Sequence, residues 1–86
     1  MGNWTYGCCE VERSEKGQKW KELVVSEVYF HENKKPYMFN PVDWAQLKNK
    51  GERNMLAKDL TDQLKANHKF MVKFNKKGGY KIYERR

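Results

Sequence analysis

The stretch from Phe70 to Tyr83 constrains the fold most, because its turn chemistry and its side-chain alternation point to the same register. Two runs of alternating residues, Phe70-Met71-Val72-Lys73-Phe74 and Tyr80-Lys81-Ile82-Tyr83, flank Asn75-Lys76-Lys77-Gly78-Gly79. A three-residue loop with Gly78 in the left-handed region makes a type I turn closed by a G1 bulge. That loop pairs Asn75 with Gly79, Phe74 with Tyr80, Lys73 with Lys81, Val72 with Ile82 and Met71 with Tyr83. One face then becomes Phe70, Val72, Phe74, Tyr80 and Ile82, a core face. A two-residue loop would mix the faces, since a slip of one residue inverts every side chain.

The opposite face becomes Lys69, Met71, Lys73, Lys81, Tyr83 and Arg85, with Lys73 opposite Lys81 and Lys69 opposite Arg85. Like charges placed across a strand pair are destabilising. An anionic partner would relieve the repulsion. The whole-chain charge is distributed to match: of the net +7, residues 1–67 contribute +1 and residues 68–86 contribute +6. Such asymmetry points to a polyanionic partner more than uniform basicity does. A solvated, lysine-rich edge that discourages sheet aggregation explains the same residues without a partner.

Upstream, Trp4 to Arg13 reads as a strand with Trp4, Tyr6 and Cys8 on one face. Val11 is out of phase with them, so a bulge is expected at Gly7 or at the cysteine pair. Ser14-Glu15-Lys16-Gly17-Gln18 is turn chemistry. A second strand, Trp20 to His31, carries Leu23, Val25 and Tyr29 on one face and Val24, Val28 and Phe30 on the other, which predicts a central strand. Glu32-Asn33-Lys34-Lys35 predicts a turn with Asn33 at positive φ. A short strand, Tyr37-Met38-Phe39, follows Pro36. Asn40 as N-cap, Pro41 at the first helical position and Asp43 in the first turn predict a short helix. Trp44 and Leu47 would form its buried side and Gly51 its end. The main helix is expected over Glu52 to Asn67, with Leu56, Leu60 and Leu64 as its apolar stripe.

With 86 residues the chain is one domain: a β-meander over 1–40, a helical segment over 41–67 and the basic hairpin over 68–86. The aromatic share of 14% lets a short chain build a core despite 34% charged residues. The expected fold class is α+β, a small antiparallel sheet of about five short strands with one long and one short helix packed on one face.

No apolar run approaches the ~20 residues that span a bilayer. Adjacent Cys8 and Cys9 staple no loop, so a disulfide framework is not expected, and a reducing, cytoplasmic setting is. The opening Met1-Gly2-Asn3-Trp4-Thr5 has Tyr6 where a myristoylation signal takes Ser or Thr, and reads instead as the start of an aromatic strand. Cys8, Cys9, His31 and His68 lack the spacing of a metal site, and no cofactor is expected.

Trp4-Thr5-Tyr6 followed by Glu27-Val28-Tyr29-Phe30-His31-Glu32-Asn33-Lys34-Lys35-Pro36 resembles a group of small bacterial and phage proteins of unknown function. These open with a W-x-Y strand and carry an E-V-Y-Y-D-E-D-G-K-P-like hairpin, then an amphipathic helix with a leucine stripe. Lys34 stands where that group has its turn glycine. The resemblance covers about the first two thirds of the chain. It implies a fold and a phage-like or bacterial origin, and it supplies no site residues.

Three functions are weighed. The first is a non-catalytic module that binds DNA or RNA, with Lys69, Lys73, Lys76, Lys77, Lys81 and Arg85 on phosphates and Tyr83 as a stacking platform. The second is a protein-interaction module, or a phage-type inhibitor, that docks an acidic surface of a host protein. The third is a small nuclease, which would need His31 or His68 beside the basic patch. Self-association into a homodimer through an exposed edge strand is a further expectation.

Overall fold

A computed structural model describes residues Asn3–Arg85. The Met1-Gly2 signal and Arg86 of the basic segment lie outside the described residues. Five strands, β1 (Asn3–Glu15), β2 (Gln18–Phe30), β3 (Pro36–Pro41), β4 (Lys69–Phe74) and β5 (Tyr80–Arg85), form one sheet in the order β3-β2-β1-β4-β5. A 3-10 turn at Trp44–Gln46 and a helix, α1 (Lys50–Lys65), lie between β3 and β4. The fold is α+β, as the sequence predicts. The sheet is mixed, because β1 pairs β4 in parallel through Cys9↔Phe70 to Glu12↔Lys73. Parallel neighbours need a long crossover, and here β2, β3 and α1 together supply it. The middle strand is β1, with β2 also paired on both edges.

β1 and β2 pair without a register shift from Asn3↔Phe30 to Glu15↔Gln18, so the expected bulge near Gly7 is absent. The two phases of β1 instead serve two faces. Tyr6 meets the helical segment, whereas Cys9 and Val11 belong to the core on the other side. Gly7 has a separate cause: a Cβ there would stand 2.7 Å from the Phe70 ring, which lies fully buried over β1. The β1–β2 turn has Lys16 at φ 49° and Gly17 at φ 81°, the signs of a type I′ hairpin. In the β2–β3 turn it is Lys34, not Asn33, that takes positive φ (66°). Asn33 caps that turn with its side chain, accepting from the Lys35 N–H at 3.1 Å.

Asn40 and Pro41 do not begin a helix. They finish β3, opposite Glu27 and Ser26 of β2, and the Val42 N–H extends the contact to the Val25 carbonyl at 2.9 Å. Ladder pairing thus overrides a local cap signal, and Pro41 loses nothing on an outer strand. Asp43 caps only the 3-10 turn, accepting from the Ala45 N–H. Leu47 is buried there but Trp44 is 60% exposed. The cap of α1 is Asn49, whose Oδ1 accepts from the Gly51 N–H at 2.7 Å, so Gly51 sits in the first turn rather than at a helix end. The helix stops in a Schellman motif: Asn67 takes φ 53°, its N–H reaches the Leu64 carbonyl, and the His68 N–H reaches that of Gln63.

The buried positions of α1 are Leu56 and Gln63, with Leu60 partly buried; Leu64 is 83% exposed. At about 100° per residue, a four-residue step drifts ~40° each time, while a seven-residue step returns to the same face. Leu64 has therefore rotated off the stripe and Gln63 has rotated on. Asp59 and Gln63 fasten the helix to β1. Asp59 accepts from the Tyr6 N–H (3.1 Å) and the Thr5 hydroxyl (3.0 Å), and Gln63 donates to the Tyr6 carbonyl. These side chains satisfy the backbone of β1 ahead of the point where β4 begins to pair with it.

The larger core, Cys9, Val11, Val28, Phe70, Val72 and Ile82, lies on the face opposite α1. The sheet curls over it until the outer strands meet, with the Phe39 and Tyr80 rings 5.0 Å apart and the Phe39 N–H donating to the Tyr80 hydroxyl at 3.5 Å. The smaller core, Tyr6, Leu47 and Leu56, fills the space between the convex face and the helical segment. Among the described residues no helix is long and apolar enough to cross a membrane.

Candidate nucleic-acid interface

The hairpin forms in the register that its turn predicts. Lys73 faces Lys81, Lys69 faces Arg85 and Met71 faces Tyr83, while Asn75 and Gly79 close the loop with a 2.8 Å backbone bond. Asn75 organises the turn, its Oδ1 accepting from the N–H groups of Lys77 (2.9 Å) and Gly79 (3.0 Å), and Gly78 takes φ 87°. Phe70, Val72 and Ile82 go into the core as expected; Phe74, at the turn end, stays 40% exposed.

Strand alternation puts Lys69, Lys73, Lys81, Tyr83 and Arg85 together on the convex face, and Lys76 and Lys77 in the turn. All seven are exposed, Tyr83 at 47%. Among the described residues none of the six cations sits in an ion pair; the pairs are Arg13–Glu22, Lys21–Glu10 and His68–Glu84. One border is acidic. The parallel register sets Glu10 beside Met71 and Glu12 beside Lys73, and Lys21 of β2 holds Glu10 at 3.4 Å. The net positive charge is thus concentrated on β4, β5 and their turn, where Glu84 is the one acidic residue among the described residues.

The two histidines differ in place. His31 stacks on Tyr37, centroids 4.1 Å apart, at the β2–β3 turn. His68 leans on the Phe70 ring at 4.7 Å, with Nε2 3.7 Å from the Glu84 carboxylate. His31 thus lies away from the hairpin cations, whereas His68 directly precedes Lys69 and lines a groove beside α1 together with it. Cys8 and Cys9 are free thiols on opposite faces of β1, unable to share one ion. Burial pushes the Cys9 thiol up to about 11 and raises that of Cys8, which keeps both protonated at neutral pH. Among the described residues no group of three or more His, Cys, Asp or Glu side chains could hold a metal.

Two features were hidden from sequence reasoning. Between the C-terminal half of α1 and the convex face lies a groove of about 650 Å³ lined by Cys8, Leu23, Val25, Leu60 and Leu64. Its rims carry Leu23 at 77% and Leu64 at 83% exposure. The parallel alignment of β1 and β4 also brings the β1–β2 and β4–β5 turns to the same end of the sheet, adding Lys16 and Lys19 to the cations of the hairpin. Compared with known protein families, curated proteins and solved structures, the chain matches none of them.

Proposed function

We propose that this protein is a non-catalytic binding module whose C-terminal hairpin contacts nucleic acid. The observation that carries the reading is the juxtaposition of Lys73 with Lys81 and of Lys69 with Arg85, on an exposed face where these four have no ion-pair partner among the described residues. A row of phosphates would turn that repulsion into attraction and release counterions. Lys69, Lys73, Lys76, Lys77, Lys81 and Arg85 are assigned to phosphates and Tyr83 to a base or sugar. A cytoplasmic setting goes with this reading, since Cys8 and Cys9 remain free thiols.

The test is fluorescence anisotropy of labelled DNA and RNA across a salt series. Binding must weaken steeply with salt and disappear in the Lys73→Glu/Lys81→Glu variant, whose fold is checked by circular dichroism. Absence of binding at low salt rejects the reading.

The apolar groove beside α1 favours a second reading, in which the module docks an acidic protein surface through its basic ribbon and the exposed Leu23 and Leu64. Capture of such a partner would survive nuclease treatment and fall in a Leu23→Ser/Leu64→Ser variant.

A further inference from the structure

We propose that the nucleic acid taken by this protein is single-stranded, and that its bases stack on a row formed by Trp20, Arg13 and Phe74. The proposal rests on the nucleic-acid reading above and specifies the form of the ligand.

The row follows from the register. At the turn end of the sheet, Trp20 of β2 stands opposite Arg13 of β1, and Phe74 of β4 stands opposite Tyr80 of β5. The Arg13 guanidinium lies 5.2 Å from the centre of the Phe74 ring, which joins the two pairs into one row across four strands. All four side chains project from the concave face, just beyond the sealed core. Trp20 and Phe74 are 39% and 40% exposed, so each leaves part of its ring open to a ligand. They are also held in place. Glu22 accepts from the Trp20 indole N–H at 3.0 Å and from Arg13 Nε at 3.4 Å, and the Phe74 ring meets that of Tyr80 at 5.7 Å. Pre-positioned aromatic faces lose little freedom when a base settles on them.

The backbone supplies the opening. The β1–β4 ladder ends at Glu12↔Lys73, although β1 runs on to Glu15 and β4 turns away after Phe74. The two hairpins part there, leaving a notch of about 500 Å³. Its walls include Arg13, Lys19, Lys73, Phe74 and Lys76, with Glu12 as the carboxylate among them. Because Lys73 points to the convex face and Phe74 to the concave one, the notch connects the basic face to the aromatic row. A strand passing through it sets phosphates against Lys19, Lys73 and Lys76 while bases turn toward Trp20 and Phe74.

Duplex nucleic acid does not fit this arrangement. Its bases are stacked on one another and offer only edges, whereas aromatic platforms need an open base face. The notch is also of the volume that holds small ligands, not a double helix. Stacking on aromatic rings tolerates sequence, so the preference expected is for strandedness and not for a particular motif.

The experiment uses the full chain and three labelled probes of equal length: a single-stranded oligodeoxynucleotide, the matching duplex, and a single strand of abasic sites with the same phosphates. The single strand should bind more tightly than the duplex, and the abasic strand should lose about tenfold or more in affinity. Trp20→Ala and Phe74→Leu should each weaken the single strand toward the abasic level and leave the abasic strand unchanged. Trp20→Phe, which keeps a ring, should restore most of the loss. Equal affinity for all three probes, with no effect of the variants, would overturn the stacking row and leave the basic hairpin as a phosphate surface. No binding of any probe at low salt would remove both proposals together.

Discussion

Replacing Lys81 with Glu should make the protein more stable while weakening its hold on nucleic acid. Lys81 lies on the outer strand β5, and its cross-strand neighbour is Lys73. Two charges ~6 Å apart in water repel by about 0.7 kcal/mol, and the substitution converts that repulsion into an attraction of the same size. The swing of ~1.4 kcal/mol falls to about 0.8 kcal/mol at 0.1 M salt, where the Debye length is ~10 Å. Glu12, the neighbour of Lys73 on β1, stands two strand spacings away at roughly 10 Å, and its own swing from attraction to repulsion takes back about 0.3 kcal/mol, leaving a net gain of about 0.5 kcal/mol. For a domain of this size about 0.5 kcal/mol corresponds to a rise in Tm of about 2–4 °C. At 1 M salt the gain should shrink to ~0.2 kcal/mol, about 1 °C. Thermal unfolding followed by circular dichroism at both salt concentrations measures this, with Lys58→Glu on the exposed side of α1 as a charge-matched control. An unchanged or lowered Tm at low salt, or a gain indifferent to salt, would refute the claim that these cations are held against one another.

Three other outcomes follow from the packing. Gly7→Ala should cost about 1–3 kcal/mol in denaturant unfolding, because the new methyl meets the Phe70 ring at 2.7 Å and that ring has no exposed space to enter; a change under ~0.5 kcal/mol would show that the ring moves freely. Asp59→Ala should cost about 1–3 kcal/mol by stranding the Tyr6 N–H, the Thr5 hydroxyl keeping the Tyr6 carbonyl as acceptor at 3.2 Å, whereas Asp62→Ala should cost far less. Cys9 gives a pH dependence. Its folded pKa of about 11 lies above the ordinary thiol value of 9.0, so the stability it contributes is intact below pH 9 and is lost as pH rises toward 11. The loss amounts to roughly 2–3 kcal/mol, and a Cys9→Ala variant should show a shallower alkaline decline; identical slopes would contradict the burial argument.

The sequence was most legible where two local signals agreed. In the C-terminal hairpin the loop chemistry of Asn75 and Gly78 and the alternation of Phe70, Val72 and Ile82 demand one register, and every cross-strand pair formed as expected. It was least legible where a local signal competed with a distant one. Asn40-Pro41 carries the chemistry of a helix start, but the ladder to Glu27 and Ser26 claims both residues. The true cap, Asn49, stands before a glycine that looked like a helix end. The four-residue rhythm of Leu56, Leu60 and Leu64 does not stay on one face of an α-helix, so Gln63 is buried where that rhythm points to Leu64. Asp59 and Gln63 look like solvent-facing residues until β1 is seen to need partners at Tyr6.

The candidate site divides in the same way. Six cations and Tyr83 could be placed on one ribbon from the register alone. The gathering of the two turns at one end could not, because it depends on the parallel pairing of β1 with β4 across more than fifty residues of intervening chain. Arg13 comes beside Phe74 only through that pairing. The exposed leucines of the groove likewise follow from how little of the convex face α1 covers.

The central claim, that the basic hairpin is a nucleic-acid surface, is tested most directly by titrating the isotope-labelled protein with a short oligonucleotide and following its amide resonances. Shifts concentrated in Lys69–Arg85 and in the β1–β2 turn near Lys16 and Lys19, with Leu56 to Leu64 of α1 unmoved, are the predicted result. Shifts confined to the groove between α1 and Leu23, or none at low salt, would contradict it.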